Sequence, residues 1–249
     1  MSDYLLSDVH LRLDRPDRGE RLARVVDRLD ADDSLYVVGD LCDFWFASRQ
    51  RRNHPINCPG LRSLSSFTGR GGRLIILAGN HDRWLGDLYQ ETLGAEWVDD
   101  SLDLHLHGTR IHLVHGHRFG TRSPWKAMME SRAFLHAFAS LPTPLAERLE
   151  TKLERSNDVN READDRKHLE IYRACVDQLA GSADVFILGH IHQIIDEARP
   201  ASRMIVLGSW HNHANYTRID AHGIQLMTEF DPPNGSNVPT LADLKGLPT

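Results

Sequence analysis

Leu35-Tyr36-Val37-Val38-Gly39-Asp40-Leu41-Cys42-Asp43 is the stretch from which the fold can be read. An apolar run that includes two β-branched valines meets a glycine and then two carboxylates three residues apart. Short Val- and Ile-rich runs bounded by glycine read as buried strands. The same form recurs along the chain. Tyr4-Leu5-Leu6 precedes Ser7-Asp8, Leu74-Ile75-Ile76-Leu77 precedes Gly79-Asn80, and Ile111-His112-Leu113-Val114 precedes His115-Gly116. Val185-Phe186-Ile187-Leu188 precedes Gly189-His190, and Met204-Ile205-Val206-Leu207 precedes Gly208-Ser209. Polar groups at the ends of buried strands in an α/β fold gather at one sheet edge, where such folds bind ligands. The expected class is therefore α/β, with chemistry at the strand ends.

Helical patterns lie between these runs. Arg18 to Leu29 places Leu22, Val25, Val26 and Leu29 at helical spacing. A longer block, from about Pro124 to Ala180, is interrupted at Leu141-Pro142-Thr143-Pro144. Its first half has one apolar face (Phe134, Leu135, Phe138, Leu141, Leu145, Leu149), residues 150–165 are densely charged, and Leu169 to Leu179 is again amphipathic. The block far exceeds an ordinary connection and is expected to be a helical insertion capping the sheet edge. That apolar face suits core packing, an acyl groove or an interfacial helix alike. Gly69-Arg70-Gly71-Gly72 lacks the ending of a phosphate-binding loop and reads as a turn. The tail after Asp231, rich in Pro, Asn and Gly, is expected to be loosely ordered.

Composition sets outer bounds. The chain has 249 residues, 41% hydrophobic and 26% charged, with a formal net charge of −6. Such a balance fits a soluble globular protein with one large core or two modest ones, and excludes pervasive disorder. Mild acidity argues against gripping nucleic acid by bulk charge, so no nucleic-acid partner is expected. It does not exclude an anionic substrate, because a bound metal inverts the local field. Cys42, Cys58 and Cys175 form no CxxC pair, which removes zinc-ribbon and thioredoxin readings and suggests a reducing, cytoplasmic setting. No export signal is read at the N-terminus, and no run of 18 apolar residues occurs.

The unusual residue is histidine, at 15 copies. Five strand-end motifs carry ligand chemistry: Asp8-Val9-His10, Gly39-Asp40-Leu41-Cys42-Asp43, Gly79-Asn80-His81-Asp82, His115-Gly116-His117 and Gly189-His190-Ile191-His192. Carboxylate, amide oxygen and imidazole together suit divalent first-row ions, Mn²⁺, Fe²⁺ or Zn²⁺. Alternation along an extended segment predicts that Asp8 and His10 share a side, as do His190 and His192. Any one motif alone is more often a surface turn than a ligand set. Five at predicted strand ends in one chain point to a metal site.

The ordered set D-x-H, G-D-x-x-D, G-N-H-D, H-G-H and G-H-x-H over residues 8 to 192 resembles the calcineurin-like metallophosphoesterase superfamily. The resemblance implies a β-sandwich flanked by helices, with two divalent metals, Mn²⁺ foremost, at the strand ends. Asp8, His10, Asp40 and His192 would hold one ion. Asp40 would bridge to a second, held also by Asn80, His115 and His190. His81 would be the catalytic histidine beside the leaving group, and Asp43 the carboxylate that orients it. His117 stays outside both ligand sets.

Within the superfamily, Gly39 through Trp45 and Leu207-Gly208-Ser209-Trp210-His211 are similar to bacterial UDP-2,3-diacylglucosamine diphosphatases. That family implies hydrolysis of UDP-2,3-diacylglucosamine to UMP and 2,3-diacylglucosamine 1-phosphate, a step of lipid A synthesis. It also implies a helical lid for acyl chains and peripheral contact with the inner membrane. Ser156 and Asn160 match two lid residues that contact substrate there, alongside Asn80, His81 and His190. At three positions the chain follows the wider superfamily instead: His81 replaces arginine, Asp43 replaces glutamate, and His117 replaces an acidic residue. These leave room for another phosphomonoester or phosphodiester as substrate. A non-catalytic binding module with the same fold would show lost ligands, and here the inferred set is complete. Trp210 to His213 either line the site or form a turn on a packed tryptophan.

Overall fold

The computed structural model describes residues 1–12, 15–43, 58–120, 127–128, 131–142, 144–145, 148–149, 161–211 and 213–228. Each of the six apolar runs is a strand: β1 (Asp3–Leu6), β2 (Ser34–Val38), β3 (Arg73–Leu77), β6 (Thr109–Val114), β7 (Val185–Leu188) and β9 (Ser202–Leu207). The others are β4 (Glu96–Val98), β5 (Ser101–Leu106), β8 (Ile194–Arg199), β10 (Asn215–Asp220) and β11 (Gly223–Thr228). They form two sheets, ordered β11-β10-β1-β2-β3-β4 and β5-β6-β7-β9-β8. In each, three of the apolar runs are the parallel centre: β1, β2 and β3 in one, β6, β7 and β9 in the other. Antiparallel strands lie outside them: β10 and β11 beside β1, β5 beside β6, and β8 beside β9.

The central strands are buried on both faces, which is why they read as continuous apolar runs rather than alternating ones. Side chains alternate between layers. Tyr36, Val38, Ile75 and Leu77 face Ile111, Leu113, Ile187 and Ile205 between the sheets. Leu35, Val37, Leu74 and Ile76 instead pack against the helices α1 (Pro16–Val26), α2 (Pro59–Gly69) and α3 (Gly86–Leu93). On the opposite outer face, Phe186, Leu188, Met204 and Val206 meet Tyr172 and Val176. The result is a mixed α/β sandwich of two sheets flanked by helices.

Helix α1 begins at Pro16 and ends at Val26, two residues earlier and three earlier than its apolar spacing suggests. Proline at the first helical position fixes the start, and Leu29 caps the following turn by donating to Val26. Residues 70–71 form a turn, as expected. In the 124–180 block the described helices are α4 (Arg132–Ala139) and α5 (Arg161–Gln178). The Phe134 and Phe138 rings stack 5.9 Å apart, while Met128, Leu145 and Leu149 are exposed. Leu145 and Leu149 are therefore not core residues. Ser156, Asn160, Phe44, Trp45 and the tail after Asp231 lie outside the described residues.

Candidate metal centre

The strand-end motifs converge at one edge of the sandwich. Asp8, His10, Asp40 and His190 all have positive φ, between 51° and 66°, a left-handed conformation that non-glycine residues rarely adopt and that clusters at functional sites. The expectation of extended Asp-x-His and His-x-His segments is corrected accordingly. At these strand ends the backbone turns out of the sheet, so alternation no longer governs the side chains. Asp8 and His10 still converge, with His10 Nε2 3.6 Å from Asp8 Oδ1. His190 and His192 part company: His192 Nε2 lies 3.8 Å from Asp8 Oδ1, whereas His190 joins Asp40 and His115.

Glycines make the convergence sterically feasible. A Cβ on Gly79 would sit 2.0 Å from Asp40 Oδ1, and one on Gly189 would sit 2.2 Å from Ser7 Oγ. The ligand loops approach each other more closely than any side chain at these positions would allow.

Among the described residues, three groups could hold a metal ion: Asp8, His10 and His192; Asp40, His115 and His190; and His10, Asp40 and His81. Asp40 lies between the first two, with Oδ2 4.0 Å from His10 Nε2 and 3.3 Å from His115 Nε2. Asn80 Oδ1 is 3.3 Å from His115 Nε2, which adds an amide oxygen to that half. Asp8 Oδ1 and His10 Nε2 are buried without hydrogen-bond partners. A buried carboxylate oxygen and ring nitrogen left open toward each other are costly unless a cation joins them. The oxygen and imidazole donors therefore fit divalent ions.

A second layer of contacts orients these donors. His10 Nδ1 meets Asp43 Oδ1 at 2.7 Å, and His115 Nδ1 donates to the Val38 carbonyl at 2.8 Å. Both contacts leave Nε2 facing the site, the usual way a ligand histidine's tautomer is fixed. Asp8 Oδ2 accepts from Ser7 Oγ at 2.5 Å and from the His190 amide at 2.8 Å. Arg18 donates to the His10 carbonyl at 2.8 Å. Asp82 is fully buried and accepts from the Gly79 and Leu41 amides, both at 2.8 Å. It thereby ties two ligand loops together.

His81 stands at the rim with its side chain 39% exposed, its Nδ1 3.1 Å from Asp43 Oδ1. Asp43 thus serves two imidazoles through one oxygen, and the shorter contact is to His10 rather than His81. Arg12 Nη1 approaches the other oxygen at 3.3 Å. His117 is buried, its ring 5.3 Å from that of His115 and 6.4 Å from that of His190, in none of the three groups. Trp210 is fully buried, donates from Nε1 to the Asn215 carbonyl at 2.9 Å, and packs in the core. His211 lines the site, 4.7 Å from the His192 ring and 5.7 Å from that of His10. His213 is exposed.

Charge follows the same geometry. Burial pulls the His10 pKa down, but Asp43, Asp8 and Asp40 outweigh it and hold the ring at about 10. His115, likewise opposed by burial, is held at about 9 by Asp40 and Asp8. Burial would raise Asp40 and Asp43, yet their histidine neighbours keep both well below the ordinary carboxylate range. His190 is pushed well below the ordinary value by burial and by its neighbour His115, so it is neutral, as a ligand must be.

Nothing in the sequence pattern gives Ser7, Arg12, Arg18, Asp82, His168 or Tyr172 a part in the site. Only Ser7 and Asp82 carried a signal, as members of the quoted motifs. His211 stood as an open alternative.

A model of the calcineurin-like phosphoesterase family matches residues 4–194. The chain belongs to this family and is a metal-dependent phosphoesterase. Among its relatives is a UDP-2,3-diacylglucosamine hydrolase of Neisseria gonorrhoeae, 26% identical over 231 residues, which span 88% of this chain and 95% of that one. The hydrolase of the same name from Pseudomonas fluorescens is 27% identical over 258 residues, covering 98% of this chain and 99% of that one. The solved structure of an archaeal phosphodiesterase overlaps with a TM-score of 0.49 at 13% identity, over 92% of this chain and 99% of that one. Among the described residues no helix is long and apolar enough to cross a membrane.

Proposed function

We propose that the protein hydrolyses the diphosphate of UDP-2,3-diacylglucosamine, adding water across one P–O bond to give UMP and 2,3-diacylglucosamine 1-phosphate. The observation that carries this reading is near-full-length similarity to hydrolases named for that substrate. In this reading the chain is a single phosphoesterase domain, and the 124–180 block is its acyl lid, with Ser156 and Asn160 as substrate contacts. Asn80, His81 and His190 would touch the phosphate from the metal edge. A lipid substrate would bring the protein to the cytoplasmic face of the inner membrane as a peripheral enzyme.

Asp8, His10, Asp40 and His192 would hold one ion, and Asp40, Asn80, His115 and His190 a second, with Mn²⁺ the first choice and Fe²⁺ or Zn²⁺ alternatives. When bound, such ions offset phosphoryl charge and acidify water. His81, at the rim, would hold a proton on Nε2 for the departing phosphate oxygen while Nδ1 faces Asp43. In the metal-free protein, Asp40 and Asp43 raise the His81 pKa against the opposing effect of burial.

The test is Mn²⁺-dependent release of UMP from UDP-2,3-diacylglucosamine by the purified protein, with Asp40→Ala as control. Release abolished in the control supports the substrate. Absence of release by protein that still hydrolyses a simple phosphodiester would retain the phosphoesterase and reject the lipid substrate. That second outcome has its own motive in His81 and Asp43, which follow the wider superfamily.

A further inference from the structure

The two halves of the metal centre are braced by different parts of the fold. The Asp8–His10 side is held by Arg18 of α1, which donates to the His10 carbonyl, and by the Trp210 amide, which donates to the Asp8 carbonyl at 3.1 Å. The His115–His190 side rests on α5. His168, Tyr172 and Val176 lie four residues apart and share one face of that helix. Tyr172 is fully buried, and its single hydroxyl proton sits between the carbonyls of His115, at 3.4 Å, and Gly189, at 3.2 Å. The hydroxyl reaches this position because residue 116 is glycine, where a Cβ would lie 2.3 Å from it. Phe119 packs edge-on against the Tyr172 ring at 5.6 Å.

One turn earlier, His168 meets the His190 ring edge-on at 5.2 Å. Its Nδ1 lies 2.8 Å from the Asp164 carbonyl. A carbonyl can only accept, so Nδ1 carries the hydrogen and the ring is fixed in orientation. Two residues of one helix therefore brace the loops bearing His115 and His190, from positions outside every group that could hold a metal.

We propose that Tyr172 and His168 are positioning residues that set the metal affinity of the Asp40–His115–His190 half more strongly than that of the other half, which the same loop reaches through His192. The inference rests on the two-ion reading above. Partners behind metal ligands are worth roughly 10- to 100-fold in metal affinity. Calorimetric titration of Mn²⁺ into metal-free protein is therefore expected to resolve two sites in the unsubstituted chain. In Tyr172→Phe, one site is expected to weaken about 10- to 100-fold and the other by clearly less. His168→Gln, at a partly exposed position, is the second variant, and it should weaken the same site. Unchanged affinities in both variants, or equal weakening of both sites, overturn the proposal. An unsubstituted chain that binds fewer than two ions rejects the two-ion reading itself, which is a different result. Near-ultraviolet circular dichroism of each variant shows whether a lost site reflects lost folding. If Tyr172→Phe is unfolded, His168→Gln decides.

Discussion

Asp43 is the residue at which binding and chemistry compete. Its Oδ1 lies 2.7 Å from His10 Nδ1 and 3.1 Å from His81 Nδ1, so one carboxylate fixes a candidate ligand and a candidate acid together. The two roles separate by mutation. His81→Ala removes only the rim imidazole and leaves every other donor in place. Turnover should fall by about 10²- to 10⁴-fold, the range for losing a positioned general acid, while metal analysis still finds the unsubstituted content. Full activity in that variant would remove His81 from the mechanism. Asp43→Asn should act on both counts. Besides slowing turnover, it frees the His10 ring and should weaken one Mn²⁺ site about 10- to 100-fold, as read by calorimetry. An Asp43→Asn protein with slowed turnover and both affinities intact would show that the carboxylate serves His81 alone.

At the scale of elements, the loops between strand and helix are held by close backbone approach, and glycine substitution tests that directly. Gly79→Ala would place a methyl 2.0 Å from Asp40 Oδ1 and 2.4 Å from the Asp40 amide, with backbone on one side and no room to move. Metal content should drop, with Asp40 displaced from its place between the two halves. Gly69→Ala, at the end of α2 with nothing within 4 Å of the new methyl, should shift stability by no more than about 1 kcal/mol. Equal metal content in the two variants would refute the close-approach argument. The same elements show what a sequence reveals. Six parallel central strands are legible because both faces are buried and the residues are almost wholly apolar. Strand β5 (Ser-Leu-Asp-Leu-His-Leu) has alternate residues exposed. In β8, charged residues pair across to the neighbouring strand, as Asp196 does with Arg203. Each is the outer arm of a tight hairpin, with Leu106 opposite Thr109 and Arg199 opposite Ser202, and its interspersed polar residues leave no apolar run to read. The ligand motifs were legible because each occupies a strand end. Their left-handed backbone was not, since nothing in Asp-x-His announces it. Tyr172 and His168 reach the site through tertiary packing across a long insertion, which no local pattern encodes.

Over the whole molecule, a cluster of buried carboxylates and imidazoles makes the metal-free protein's stability depend on pH in a defined direction. His10 and His115 have folded-state pKa values of about 10 and about 9, above the ordinary 6.5. A raised histidine pKa contributes stability that is complete below 6.5 and is lost as pH rises through the folded value. Asp40 and Asp43 are held below the ordinary 3.8, so their contribution is present above 3.8 and lost as pH falls through their folded values. The metal-free protein should therefore lose melting temperature as pH rises from 6.5 toward 10, while below 6.5 the depressed His190 costs stability as pH falls, because the unfolded chain takes up that proton first. Metal binding requires the same imidazoles without their protons. Mn²⁺ affinity should accordingly rise with pH over the range in which the metal-free form loses stability, and binding should release protons. A free ion at 100 times its dissociation constant adds about 2.7 kcal/mol per site, so the loaded protein's optimum should move to higher pH. Thermal melts from pH 5 to 9.5, with Mn²⁺ and with chelator, test this, and titrations in buffers of different ionisation enthalpy count the protons. Parallel melting curves with and without metal, or binding without proton release, would mean that His10 and His115 are neutral before any ion arrives and that the carboxylates around them do not hold a charge pair.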